Sequence, residues 1–338
     1  MPVIVKPSDY FNVVTYTGTG SSQTISVGFQ PDFVWIKSRS NAQDHKLTDA
    51  VRGVTKSLES NTTDAEATDT NGITAFTSTG FTVGSDSTYN TNAYTYVAWC
   101  WKANGAGSSN TAGTITSTVS ANTSAGFSIV RYTGNLTAGA TVGHGLGVVP
   151  SFMIIKNASV SGPDWLCYHR DLGGTRYLLL NSTNAAGTSI LAFNNTAPSS
   201  SVFSVGGWDV PNGSGNTQIA YCWAEVAGYS KFGSYTGNGS TDGPMIFTGF
   251  RPKFVMIKGS SFSGESWFMW DSSRDTFNLV NKRLLANESN AENTDQNFGD
   301  LLSNGFKIRN TWGGLNNSGA TYVYACFAES PFKYANAR

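Results

Sequence analysis

The sequence predicts an all-β protein built as three tandem β-sandwich (jelly-roll-like) modules, and three observations carry that expectation. One short segment is written three times, as Pro31-Asp32-Phe33-Val34-Trp35-Ile36-Lys37, Pro150-Ser151-Phe152-Met153-Ile154-Ile155-Lys156 and Pro252-Lys253-Phe254-Val255-Met256-Ile257-Lys258. Charged residues make up only 13% of the chain, while turn formers and aromatics are plentiful, which suits short strands joined by polar turns. No stretch sustains a period of 3.6, so at most a turn of helix is expected, near Thr48–Arg52 or Asp271–Arg274.

Each lysine segment is opened by proline and is apolar on both alternating sides, which reads as a strand buried on both faces at the centre of a module core. Alternation sets Phe254, Met256 and Lys258 on one side and Val255 and Ile257 on the other. Aligning the copies extends the repeat in both directions. The modules open at Tyr16-Thr17-Gly18, Tyr132-Thr133-Gly134 and Tyr235-Thr236-Gly237, and close in strands holding Cys100, Cys222 and Cys326. The expected organisation is module 1 over 1–103, a Gly/Ser/Thr-rich linker over 104–126 with part of it pairing as an edge strand, module 2 over 127–228, and module 3 with a C-terminal tail over 229–338. Asn71-Gly72, Asn238-Gly239 and Asn304-Gly305 mark tight turns inside them.

Lys plus Arg and Asp plus Glu both total 22 in 338 residues, so a basic stripe for nucleic acid or an anionic membrane is not expected. No apolar run is long enough to span a bilayer, and residues 1–7 lack a signal-peptide pattern, so membrane insertion is not expected either.

The residues that carry chemistry read mostly as packing. The three repeated cysteines alternate with small residues and suit buried apolar positions, and Cys167 has no counterpart. His45, His144 and His169 form no ligand pair, and no zinc spacing occurs, so no metal and no cofactor is expected. Gly143-His144-Gly145-Leu146-Gly147 sits between strands and reads as a glycine-rich turn. The repeated lysines are expected to snorkel to water, because module 1 has Ala103 where Glu225 and Glu329 would supply an ion-pair partner. Asp171, Asp271, Asp275 and Glu288 cluster in loops without a repeated acid pair, so no enzyme activity is expected. Trp165, Trp267 and Trp270, with Asp271, have two readings: core tryptophans, or platforms that stack on sugar rings.

Val142-Gly143-His144-Gly145-Leu146-Gly147-Val148-Val149-Pro150, Tyr168-His169-Arg170-Asp171-Leu172-Gly173, the run from Gly233 to Gly243, and Ala328-Glu329-Ser330-Pro331-Phe332-Lys333 resemble the repeating β-module of tailed-bacteriophage virion proteins of marine and cyanobacterial phages. The likeness is close over modules 2 and 3, whereas Asn41 to Asn71 of module 1 diverges. It implies a structural part of a virion, a tail fibre, tail appendage or head decoration, made in a host cytoplasm. Its implied partners are other virion proteins, further copies of itself (as a trimer) and a host-surface glycan. The alternative is a carbohydrate-binding protein acting alone through exposed tryptophans.

Overall fold

The lysine segments become interior strands, and the computed structural model, which describes residues 4–331, shows what covers each of their faces. In the first repeat the strands Phe11–Thr17, Thr95–Trp101, Phe33–Ser38 and Lys46–Asp49 form one antiparallel sheet in that spatial order. The second repeat sets Phe127–Thr133, Thr217–Trp223, Phe152–Asn157 and Leu166–His169 in the same order, and the third does so with Ser230–Thr236, Thr321–Pro331, Phe250–Gly259 and Phe268–Asp271. A smaller sheet lies beside each main sheet: Gln23–Ser26, Gly80–Val83 and Ile73–Thr77 in the first repeat, Ala140–Gly143 and Val202–Val205 in the second, and Met245–Phe247, Gly305–Ile308 and Gly299–Leu302 in the third. The fold is all-β. Its α-helices among the described residues are single turns at Ser87–Asn90, Ile190–Phe193, Asp209–Asn212 and Gly313–Asn316. The two segments expected to hold a helical turn are instead tight turns, in which the Asp49 and Asp271 carboxylates accept the backbone N–H groups of Arg52 and Arg274 at 2.8 and 2.9 Å.

Part of the span read as a linker pairs with the second main sheet, as Ser108–Asn110 and Ser117–Asn122 on its outer edge. The tail at 332–338, expected to dock on a neighbouring subunit, lies outside the described residues.

Alternation along the interior strands divides the core. In the closing strands Tyr96, Ala98 and Cys100 face the first small sheet with Ile25, Phe81 and Val83, and Ala220 and Cys222 face Val142, Phe203 and Val205. Their other faces, with Trp99, Trp101, Tyr221, Trp223 and Phe327, meet in one cluster shared by all three repeats. Phe33 stacks on Tyr221 at 4.2 Å between ring centroids, and Trp101 packs edge-on to Trp223 at 5.8 Å and to Phe327 at 5.6 Å. The repeats are therefore joined through a common core, rather than strung as separate beads.

The polar contacts between repeats close a ring. Glu66 N–H donates to the Ala158 carbonyl at 2.9 Å, Ala186 N–H to Ser260 at 2.9 Å, and Glu292 N–H to Arg39 at 2.8 Å, which takes the same bond from the first repeat to the second, the second to the third, and the third back to the first. Side chains at one equivalent position point the other way round it. Trp165 Nε1 donates to the Glu59 carbonyl and Trp267 Nε1 to that of Leu179, each at 2.9 Å, and His45 Nε2 lies 2.9 Å from that of Leu285. His45 Nδ1 accepts from Trp35 Nε1 at 2.8 Å, so its Nε2 carries the proton, and burial holds its pKa well below the usual value.

The three lysines do not reach water: Lys37, Lys156 and Lys258 have no exposed surface. Lys156 donates to the Thr63 and Pro163 carbonyls at 2.9 and 2.6 Å, and Lys258 to those of Thr183 and Glu265 at 3.1 and 2.6 Å. Each ammonium thus ties its own repeat to the preceding one, whereas Lys37 donates to Ser38 and Asn41 within the first repeat. The repeated glutamates bond elsewhere, Glu225 to Arg170 and Lys231, and Glu329 to Arg251. Burial lowers the pKa of each lysine from 10.5 to about 8.

Two tests follow from this packing. A common core should unfold as one unit, so calorimetry of the whole chain should give a single transition, and Trp101→Ala should lower stability by about 3–5 kcal/mol; three separate transitions would show that the repeats fold independently. A lysine whose folded pKa lies below its unfolded value leaves the unfolded chain binding more protons between the two, so its contribution to stability rises with pH between about 8 and 10.5. Side-chain carbon NMR should show these three lysines titrating near pH 8, and midpoints near 10.5 would contradict their burial as charged groups.

Candidate functional site

The residues singled out as sugar platforms lie in the interior. Trp165 and Trp270 have no exposed surface, Trp267 is 2% exposed and Asp271 1%, so none presents a face to a ligand. Trp165 and Trp267 hold the junctions described above. Trp270 packs between the sheets of the third repeat, stacked on Phe298. Asp271 accepts from Trp99 Nε1 at 3.1 Å and pairs with Arg274 at 2.6 Å, which makes it a junction residue as well. For Trp165, Trp267 and Asp271 the physical reason is the shared core, since the strand face that would look outward in an isolated module looks inward here; Trp270 is buried by its own repeat's small sheet.

The other candidate groups are also enclosed. All four cysteines are free and buried, with burial pushing their thiol pKa values up. His169 Nε2 lies 3.2 Å from the Tyr324 carbonyl of the third repeat, and burial pushes its pKa down to about 4. His144 is buried in the glycine-rich turn, where its Nε2 lies 3.2 Å from the Ser199 carbonyl. Among the described residues no group of three or more His, Cys, Asp or Glu side chains is placed to hold a metal ion, and no helix is long and apolar enough to cross a membrane.

Three surface clefts have volumes of about 580 to 650 Å³. The one in the second repeat, of about 650 Å³, combines features of a ligand site. Two half-buried rings, Tyr177 and Trp208, meet edge to face at 5.1 Å on one side of it. Leu166 and Leu179 form its apolar floor, and the exposed carboxylates of Asp164 and Asp209 stand at its rim.

Local structure positions each part. Leu166 and Leu179 are cross-strand partners, and Tyr177 lies two residues before Leu179 on the same strand face. Trp208 precedes the one-turn helix Asp209–Asn212, which is anchored by the buried Asn212. Asn212 Nδ2 donates to the Thr137 and Gly206 carbonyls at 3.0 and 2.9 Å, and its Oδ1 accepts from Asn135 N–H at 2.9 Å. Asp164 is oriented by Asn181, whose Nδ2 donates to it at 2.8 Å while its Oδ1 accepts from Trp165 N–H. The arrangement supplies an apolar face flanked by hydrogen-bond acceptors, which suits recognition of a ligand with an apolar face and donor groups.

Sequence reasoning passed over Tyr177, Trp208 and Asp209. The available signal was the repeat: Trp208 and Trp312 both stand immediately before the turn that ends in Asn212 or Asn316. Such an alignment marks the position, but it does not reveal that only one of the two tryptophans borders an open cleft.

Comparison with curated proteins and with solved structures gives no match. Comparison with protein families matches residues 6–331, nearly the whole of the three repeats. The chain belongs to the family described as a domain of unknown function, DUF7483.

Proposed function

We propose that this chain is a structural component of a tailed-bacteriophage virion, a tail fibre, tail appendage or head decoration, that works by shape and surface recognition and not by catalysis. The observation that carries the reading is the closed ring of equivalent bonds between repeats, which spends Lys156, Lys258, Trp165, Trp267 and the Asp49 and Asp271 carboxylates on holding one rigid body together. The resemblance of the second and third repeats to virion modules supports the same reading. Self-association, including the trimer expected of such appendages, would have to use the outer faces of the repeats, because the inner faces are consumed in the common core. The low charge and zero net charge allow identical copies to pack without long-range repulsion.

A second reading, a carbohydrate-binding protein, is favoured by the Tyr177–Trp208 cleft, although not by the tryptophans first considered for it. The two are compatible in an adhesive virion part.

Mass spectrometry of purified phage particles should find this chain at a fixed copy number, and light scattering of the purified protein should give a multiple of 36.0 kDa. Absence from particles whose host cells express it would remove the virion assignment, and a 36.0 kDa species at every concentration would remove self-assembly.

A further inference from the structure

The position of the open cleft can be compared across the repeats, and in the other two it is filled from within. In the first repeat Lys46 stands where the second has Leu166, and it bonds to Glu59 at 2.7 Å and to Asp69 at 3.2 Å. In the third repeat Phe268 holds that place, and Arg283 replaces Tyr177, lying 4.2 Å from the centroid of the Trp312 ring.

The Glu265 side chain completes the plug in the third repeat by covering Gly313 and Gly314. A Cβ at Gly314 would come within 2.5 Å of the Phe268 ring and 2.7 Å of Glu265 Oε2. Burial raises the pKa of that carboxyl, while Lys258, the Trp312 indole and Arg283 draw it back down. The second repeat has Pro163 in place of Glu265, Leu166 in place of Phe268, and Asp209-Val210 in place of the two glycines. Each exchange removes part of the plug, and together they leave the cleft open with a tryptophan against it.

We infer that the cleft between Tyr177 and Trp208 is a binding site for a neutral hexopyranose. This rests on the second reading above and not on the virion assignment. An occupant must present an apolar face to the rings and to Leu166 and Leu179, and hydrogen-bond donors to Asp164 and Asp209. It must also offer an acceptor toward the Trp208 indole, as Glu265 does toward Trp312. A pyranose supplies all three, with its axial C–H face and its hydroxyls. Two carboxylates with no lysine or arginine in the lining disfavour uronic and sialic acids by like-charge repulsion.

Fluorine NMR of the full chain labelled with fluorotryptophan tests this, with Trp208 assigned from Trp208→Phe. Methyl pyranosides of glucose, galactose, mannose and N-acetylglucosamine, glucuronate, and N-acetylarginine amide are titrated in parallel. The expected result is a saturable shift of the Trp208 resonance with at least one neutral pyranoside and none with glucuronate. Trp208→Ala, followed by calorimetry, should weaken binding about tenfold or more. Pro163→Glu together with Val210→Gly, which supplies the third-repeat carboxylate and the glycine that makes room for it, should abolish binding while the other tryptophan resonances keep their dispersion. Asp209→Asn keeps the fold at an exposed position and should also weaken binding. No Trp208 shift with any neutral pyranoside, tighter binding of the arginine amide, or pyranoside binding that survives the paired Pro163→Glu and Val210→Gly exchange would each overturn the inference. Detection of the chain in virions is independent of all these outcomes, so the two readings fail separately.

Discussion

The constraint behind the architecture is that each main sheet has two apolar faces and only one small sheet to cover them. The closing strands show it: Tyr96, Ala98 and Cys100 are satisfied within the first repeat, while Val97, Trp99 and Trp101 are not. A face of that size left in water would drive association. Three such faces meeting at a common centre solve the problem inside one chain, and the solution forces the repeats into a ring. The backbone bonds from Glu66, Ala186 and Glu292 are the polar counterpart of that meeting. Burying these backbone and side-chain dipoles at the junctions is tolerable because the groups that cross them, such as the Glu66, Ala186 and Glu292 N–H and the Lys156 and Lys258 ammoniums, find carbonyl partners in a neighbouring repeat.

The ring is not perfectly regular, and its departures are coupled across junctions. Asp49 and Asp271 each pair with an arginine three residues on and each take a hydrogen bond from the neighbouring closing strand, from the Tyr221 hydroxyl and the Trp99 indole respectively. In the second repeat the equivalent pair is His169 and Leu172, and the facing closing strand offers Ala325, which has no polar group to give. His169 turns to the Tyr324 carbonyl instead. A carboxylate there would be buried with no arginine three residues on and no side-chain donor from the facing closing strand, which costs more than a neutral imidazole. Both sides of the junction changed together, as the low dielectric of the interior demands.

The sequence made the elements legible, but not their assembly. Periodicity in Phe254–Lys258 correctly separated the two strand faces, because alternation is a local property of an extended backbone. What lay opposite those faces was not local. The continuous apolar pattern was consistent with a central strand in a separate sandwich, and nothing in a single repeat says that its second face is closed by two other repeats. The same gap sent the lysines to water and left the tryptophans with two readings, of which the core one holds. In both cases the partners are carbonyls, such as Thr63 and Leu179, which sequence patterns cannot mark because every residue has one.

The repeat comparison also indicates where function should be sought in such a chain. Positions kept in all three repeats, such as the turn-ending Asn90, Asn212 and Asn316, serve the fold, since each is fully buried and bonds to the carbonyls of its own repeat. A binding role needs only one well-made copy, so it belongs where repeats that agree inside disagree at the surface. Beside the strands Lys46–Asp49, Leu166–His169 and Phe268–Asp271, a lysine network fills the first repeat, a glutamate and an arginine fill the third, and the second is left with two aromatic rings, two carboxylates and room for a ligand. Without an occupant, half-buried apolar side chains such as Tyr177 and Leu179 stay in contact with water, at a free-energy cost that the plugs in the other repeats avoid. An occupant of the kind proposed above would cover that surface as the plugs cover it in the other two repeats.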